Sequence, residues 1–395
     1  MDLHWLKPLL GRPGPFVTVY LDATSTDVVG EAEVAERWKG LRRSVSAADR
    51  VSSAVLDEIG ELLAVPDGRR TPHGRVLVAD AHGVVVDRLL TSPPARSRVD
   101  VGPVPALLPV IRAADESVRL LVVAVDRTGA DLTRVGTGER EQTTSVDGGH
   151  DDVHKTREGD LARRSQTRAE DSWHRNAEAV AHALAKQVAE QPVDLVVLTG
   201  DLRTVAMVRE AADQHVRECL VEVAGGGRGE GVREDAFKAR VADAVAEFRS
   251  KRRRAALDRF VAVLGRGDGG VTGLADVVEV LQRGQVAELV MAADALDGPL
   301  GTRELWVGSE PLQLATSEGD LAALGLSAPA RRMTAHVALV RAALGQDAGV
   351  TVAEAGEAQP YEGVGAVLRW SDPGTPPSGS LLSQSADKNR LRALG

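Results

Sequence analysis

A chain of 395 residues is too long for one ordinary core, and its length predicts two or three domains, of which three are expected. Apolar residues at 43% and charged residues at 27% exclude a disordered or fibrous chain, while only 3% aromatics leave the cores to Val, Leu and Ala. A formal charge of −9 argues against indiscriminate nucleic-acid binding, and the single cysteine, Cys219, excludes a disulfide framework and any Cys-based zinc site.

The opening MDLHWLKPLLGRPGP has too short an apolar run, broken by Pro8 and Pro13, to act as a signal peptide. No window reaches the roughly 18 apolar residues of a membrane span, so a cytoplasmic protein without membrane contact is expected. PFVTVYLDA (15–23) reads as a strand, and a polar, helix-compatible segment follows from Glu31 to about Leu63. GRVLVADAHGVVVDRLL (74–90) predicts two strands joined at His82-Gly83, and PALLPVI (105–111) a short connector or helix. These elements form a first α/β domain over 1–115.

SVRLLVVAVDRTGADLTRVG (117–136) predicts strand, turn and strand, with the turn at Asp126 to Gly129. Residues 137–160 are polar and show no apolar period, which predicts a loop that is not ordered by itself. From Leu161 a helix is expected to about Glu190, with Trp173, Ala177, Val180, Leu184 and Val188 on one buried stripe. PVDLVVLTGD (192–201) predicts a buried strand, TVAMVREAADQHV (204–216) a helix, and CLVEVAGGGRGEG (219–231) a strand entering a glycine loop. A long helix then runs from Glu234 to about Leu264. This alternation implies a largely parallel sheet and a second domain over 117–268. TGLADVVEVLQRGQVAELVMAAD reads as a helix, a stop at Gly284 and a strand. With ELWVGS (304–309), VALVRAALGQ (337–346) and VGAVLRW (364–370) it builds a third α/β domain over 269–370. The Ser-, Pro- and Gly-rich stretch 371–395 reads as a disordered tail.

Few constellations carry chemistry. AGGGRGEG (224–231) fits no G-x-G-x-x-G register and lacks the Lys-Ser/Thr of a P-loop, so it is expected to be a flexible turn, and no cofactor is implied. His150, Asp151, Asp152 and His154 are the only cluster of potential metal ligands; without a distal set they read as solvated, and no metal is expected. No G-x-S-x-G elbow is present, and Cys219, expected at a strand start, has no evident activating base.

Two runs concentrate positive charge. Five Lys or Arg lie between Lys155 and Arg168, and RSKRRRAALDR (249–259) carries six basic groups against one acid. A phosphate feels mainly the charges within about 10 Å, so such patches can bind RNA on an acidic molecule. Arg164 and Arg168, four residues apart, repel unless an anion compensates them, and the same holds for Arg249, Lys251, Arg252, Arg253 and Arg254.

Three stretches resemble one family. PFVTVYLDA is similar to its first N-terminal strand. GLADVVEVLQRGQVAELVMAAD resembles its C-terminal pattern of glycine, helix, glycine and a strand beginning Val-x-x-Leu. GDLARRSQTR before the Trp173 helix resembles the segment in which Gly-Gly-Gln precedes Ser-Ala-Arg-Arg. The family is that of the archaeal and eukaryotic class-one release factors and Pelota, in its bacterial branch, which includes the hibernation factor Balon and its actinobacterial relatives. The resemblance implies three α/β domains in the release-factor/Pelota arrangement, with the N-terminal domain toward the decoding centre.

Setting Ala162-Arg163-Arg164 on the family's Ala-Arg-Arg puts Glu158, Gly159 and Asp160 where a release factor carries Gly-Gly-Gln. An anionic Asp160 cannot donate as the amide does, so peptide release is not expected. The resemblance instead implies a non-enzymatic occupant of the ribosomal A site, active in hibernation or protection under stress. His150, His154, Lys155, Arg157, Arg163, Arg164 and Arg168 would then contact ribosomal RNA or the end of the P-site tRNA. The implied partners are the 70S ribosome and elongation factor Tu. Two alternatives stay open: a rescue enzyme acting on tRNA or peptidyl-tRNA through His150, His154 or His174, and a stress-related adaptor that binds protein through its last domain.

Overall fold

The computed structural model describes residues 4–24, 28–45, 51–65, 73–90, 93–94, 96–114, 118–135, 142–149, 160–228, 233–325 and 329–377. The chain forms two compact units, one of residues 1–117 and 251–395, the other of residues 118–250.

The first unit opens with a 3₁₀ turn, His4–Leu9, and the strand β1, Phe16–Asp22. The strand is buried along its length because its two faces enter different cores. Phe16 and Tyr20 point into one cluster, and Val17, Val19 and Leu21 into another shared with the helices α1 (Val28–Arg42) and α2 (Ser53–Ala64). The Ser52 side chain caps α2 by accepting from the Ala54 N–H, and Val55, Leu56, Ile59 and Leu63 form its buried face. β2 (Gly74–Asp80), β3 (Gly83–Leu90) and β4 (Arg98–Gly102) complete an antiparallel sheet of order β3-β2-β1-β4, and α3 (Leu108–Ala114) follows. The two predicted strands are present with their turn at Ala81-His82, one residue before the expected His82-Gly83, whereas the helical segment after β1 is two helices and β4 was not foreseen.

The second unit contains β5 (Leu120–Val125), β6 (Gly129–Val135), β7 (Gln142–Asp147), α4 (Asp160–Glu190), β8 (Leu195–Gly200), α5 (Leu202–Ala211), α6 (Gln214–Cys219) and β9 (Leu220–Glu222). The helix α7 (Glu234–Arg266) begins in it. The sheet order is β7-β6-β5-β8-β9, with β5, β8 and β9 parallel and β6 and β7 antiparallel. The sheet is therefore mixed where strand-helix alternation suggested a largely parallel one; the two antiparallel pairings come from consecutive strands joined directly, without an intervening helix. Alternate residues feed two layers. Leu121, Val123, Val196 and Leu198 meet Ala177, Val180 and Leu184 of α4, while Leu120, Leu195 and Val197 meet Phe237, Val241 and Phe248 of α7.

The remainder of the first unit comprises β10 (Gly270–Thr272), α8 (Leu274–Gln282), β11 (Val286–Ala292), α9 (Ala293–Asp297), α10 (Pro299–Thr302), β12 (Glu304–Val307), β13 (Leu314–Ala315), α11 (Glu318–Ala322), β14 (Arg331–Thr334), α12 (Ala335–Gly345), β15 (Gly349–Ala353) and β16 (Val364–Leu368). Its strands form sheets of order β10-β16-β11-β15 and β13-β12-β14. Gly284, at φ +70, ends α8 in the left-handed conformation that lets β11 begin two residues later. The sheets expected as separate first and third domains lie in this one unit, where one apolar cluster joins Phe16, Tyr20 and Val76 to Leu274, Leu289 and the nearly all-buried α12. Of the expected tail, residues 371–377 turn back on α8 and β11: Asp372 pairs with Arg283 at 3.3 Å, and Thr375 accepts from the Gln285 amide at 2.8 Å. Residues 378–395 lie outside the described residues.

Candidate nucleic-acid interface

The polar segment 137–160 is not featureless. It contains β7, whose hydrogen-bonded register on β6 runs from Gly129↔Asp147 to Arg134↔Gln142. The chain then reaches Gly148 and Gly149, passes 150–159 outside the described residues, and resumes in α4.

Three segments converge at the root of this excursion. In the β5–β6 turn, Asp126 Oδ1 accepts from the Thr128 N–H at 2.8 Å, the Thr128 hydroxyl at 2.6 Å and the Gly129 N–H at 3.0 Å. Gly148 N–H donates to the Thr128 carbonyl at 2.9 Å, so the end of β7 is tied to the same turn. From α4, the buried Asn176 donates through Nδ2 to the Arg127 carbonyl at 2.8 Å. The Arg127 guanidinium lies 4.6 Å from the ring centre of the buried Trp173 and 3.7 Å from the Asp201 carboxylate, which itself caps α5. A β-carbon on Gly148 would stand 2.2 Å from the Asn176 side chain, so the close approach of β7 to α4 requires glycine there.

The glycine loop joins the same root. Arg228 reaches Asp126 Oδ1 and the Thr128 hydroxyl, each at 3.0 Å, and lies 3.3 Å from Asp131. Gly226 N–H donates to the Thr199 hydroxyl at 3.0 Å, and a β-carbon there would meet Phe237 and Thr199 at 2.7 Å. The described part of the loop is thus pinned by charge and packing, where sequence suggested a flexible turn. Burial pushes the Asp126 carboxyl up, but the Thr128 and Gly129 donors and Arg228 outweigh it and hold its pKa below the ordinary value.

The predicted RNA-facing residues divide sharply. His150, His154, Lys155, Arg157, Glu158 and Gly159, together with Asp151 and Asp152, lie outside the described residues. Asp160, Arg163, Arg164 and Arg168 sit on the first turns of α4, of which the backbone is described. Among the described side chains of α4 Trp173 is the first buried one, and the thirteen helical residues from Asp160 to Ser172 span about 20 Å of axis before it. His174 is exposed on α4 next to the anchor.

The second basic run falls on α7. Lys251 and Arg254 are exposed, Arg249, Arg252 and Arg253 half-buried, and Arg253 pairs with Glu357 at 3.3 Å. Cys219 lies at the end of α6, not at a strand start; its thiol donates to the Val216 carbonyl at 3.3 Å. Burial pushes that thiol up, and the nearby Asp213, Asp194 and Glu218 add to the effect, the reverse of what a nucleophile needs. Among the described residues no three His, Cys, Asp or Glu side chains form a metal-binding group, and no helix is long and apolar enough to cross a membrane. Sequence reading missed Arg127, Asn176 and Arg228. Asn176, a polar residue on the apolar stripe of α4, was the one available signal.

Residues 119–266, which span this unit, match the family described as bacterial archaeo-eukaryotic release factor family 2. The match is confined to this segment of the chain. Two proteins of Mycobacterium tuberculosis, uncharacterized protein MT2704 (strain CDC 1551 / Oshkosh) and uncharacterized protein Rv2629 (strain ATCC 25618 / H37Rv), are each 28% identical over 381 residues, covering 93% of this chain and 96% of theirs. Among solved structures, S. cerevisiae Dom34, a translation termination-like factor, is similar over 77% of this chain and 81% of its own at 10% identity and a TM-score of 0.41. Ribosome-bound archaeal Pelota is similar over 93% of both chains at 14% identity and a TM-score of 0.42.

Proposed function

We propose that this chain is a non-catalytic ribosome-binding factor that occupies the A site, projecting the release-factor loop toward the peptidyl-transferase centre without hydrolysing peptidyl-tRNA. What supports the reading is the match of residues 119–266 to a release-factor family, together with the sequence resemblance that sets Glu158-Gly159-Asp160 on the family's Gly-Gly-Gln. Two carboxylates replace a glycine and a neutral amide. Neither can donate a hydrogen bond when ionised, and both are repelled by RNA phosphate. What remains is charge: Lys155, Arg157, Arg163, Arg164 and Arg168 supply the phosphate contacts. Occupation of an idle ribosome is a role that needs binding and no turnover, which fits hibernation or protection under stress.

Peptide release from ribosomes loaded with peptidyl-tRNA tests the reading directly. The chain is expected to release no more peptide than buffer, while a Gly-Gly-Gln release factor in parallel empties the ribosomes. Release that is lost on His154→Ala would replace this reading by that of a rescue enzyme.

A further inference from the structure

The first unit holds a cleft remote in sequence from the central loop. One wall is the i, i+4, i+7 face of α12, formed by Val337, Arg341 and Leu344. β14 alternates beside it: Arg331 and Met333 face the cleft, while Arg332 turns away to pair with Glu304 at 3.0 Å and lie over Trp306. Leu6 and Leu9 of the 3₁₀ turn and Phe16 of β1 also line it, and the cleft is open to solvent at its mouth.

Its polar chemistry is one-sided. Every polar side chain lining the cleft is an arginine, and no lining side chain is a hydrogen-bond acceptor of the carboxylate, amide or hydroxyl type. Arg12 is already committed, to Asp80 at 2.6 Å and the Pro8 carbonyl at 2.8 Å. Arg341 is only 7% exposed and donates to the Gly308, Ser309 and Pro311 carbonyls at 3.0, 2.6 and 3.4 Å, all neutral acceptors. Among the described residues no carboxylate lies within ion-pair distance of it, and the Arg331 side chain makes neither a hydrogen bond nor an ion pair. A desolvated guanidinium with a second one beside it, hydrogen-bonded to neutral carbonyls and with the Glu310 carboxylate near but beyond ion-pair distance, is an electrostatic deficit that a bound anion would reduce. Burial and the Arg331 charge pull the Arg341 pKa down and outweigh the Glu310 carboxylate, which pulls it up.

We propose that this cleft is a binding site for a small amphipathic carboxylate, its apolar chain lying along Leu6, Leu9, Phe16 and Leu344 and its head group between Arg331 and Arg341. Sugars and peptides are disfavoured because no side chain is present to accept from their hydroxyl and amide donors. A planar carboxylate matches the guanidinium fork.

Isothermal titration calorimetry of the full chain with sodium octanoate, octan-1-ol and octylamine at fixed ionic strength tests the site. Saturable one-site binding is expected for octanoate, none for octylamine, and at least tenfold weaker binding for the alcohol. Arg331→Gln should weaken octanoate at least tenfold, and Val104→Trp, which fills the mouth, should abolish binding, both with the melting temperature of the parent. Absence of saturable octanoate binding, equal binding of the alcohol, or parental affinity in both variants would overturn the proposal.

Discussion

Asn176 and Gly148 illustrate at the residue scale how the sequence specifies the root of the central loop. Gly148→Ala puts a β-carbon 2.2 Å from the Asn176 side chain and is expected to cost about 1–3 kcal/mol through overpacking. Asn176→Ala leaves the Arg127 carbonyl without its side-chain donor, at about 1–3 kcal/mol. In the double variant the smaller residue accommodates the methyl group, so urea unfolding should give a total clearly below the sum of the two single costs. Additive costs would mean that the two residues do not share a contact. A polar Asn inside an apolar stripe was legible in the sequence as an exception, but its partner, a backbone carbonyl 49 residues earlier, could not be: nothing in composition or period marks which carbonyl a turn will present.

Asp126 gives the same root a pH dependence. Its folded pKa is lowered, so the stabilisation it provides is present above the unfolded value near 4 and is lost as pH falls through the lower folded value. Asp126→Asn should therefore melt below the parent at pH 7, and the gap in melting temperature should narrow as pH falls below about 4. A gap that stays constant with pH would show that the loss is one of shape and not of charge.

At the scale of elements, the strongly apolar strands and the long helices were readable because their burial leaves a period. β5, β8 and the α4 stripe are examples. β7 was missed because QTTSVD lies at the sheet edge, where five of its residues are exposed and only Val146 is half-buried, so the two-residue alternation is nearly erased. The single helix expected over 204–216 is divided because Asp213 caps a new one, accepting from the Val216 N–H at 2.8 Å. α4 also supports a prediction of its own. Ala181→Pro, within the packed stripe, should cost about 3 kcal/mol or more. Ala169→Pro lies before the Trp173 anchor and should leave the melting temperature within a few degrees of the parent while weakening ribosome binding at least tenfold. Circular dichroism melts and cosedimentation check the pair; equal destabilisation by both prolines would mean that the helix is anchored from its first turn.

At the scale of the whole molecule, a net charge of −9 and two basic runs coexist, so association with RNA has to be local and salt-sensitive. The likeness of the central segment to the release-factor family was legible in GDLARRSQTR and the helix behind it, whereas the grouping of the N-terminal and C-terminal sheets into one compact unit was not, because the core they share joins residues more than 250 positions apart. If the five cations from Lys155 to Arg168 all meet phosphate, the logarithm of the binding constant should fall against that of salt with a slope of about −4.

Cosedimentation with vacant 70S ribosomes across a salt series, comparing the parent chain with the Arg163→Glu/Arg164→Glu variant, tests the central claim most directly. Stoichiometric binding at low salt, a steep salt slope, and a variant that binds at least tenfold more weakly with a shallower slope are the predicted results. Absence of binding at low salt, or binding that is indifferent to both salt and charge reversal, would contradict a ribosome-binding role carried by this loop and helix.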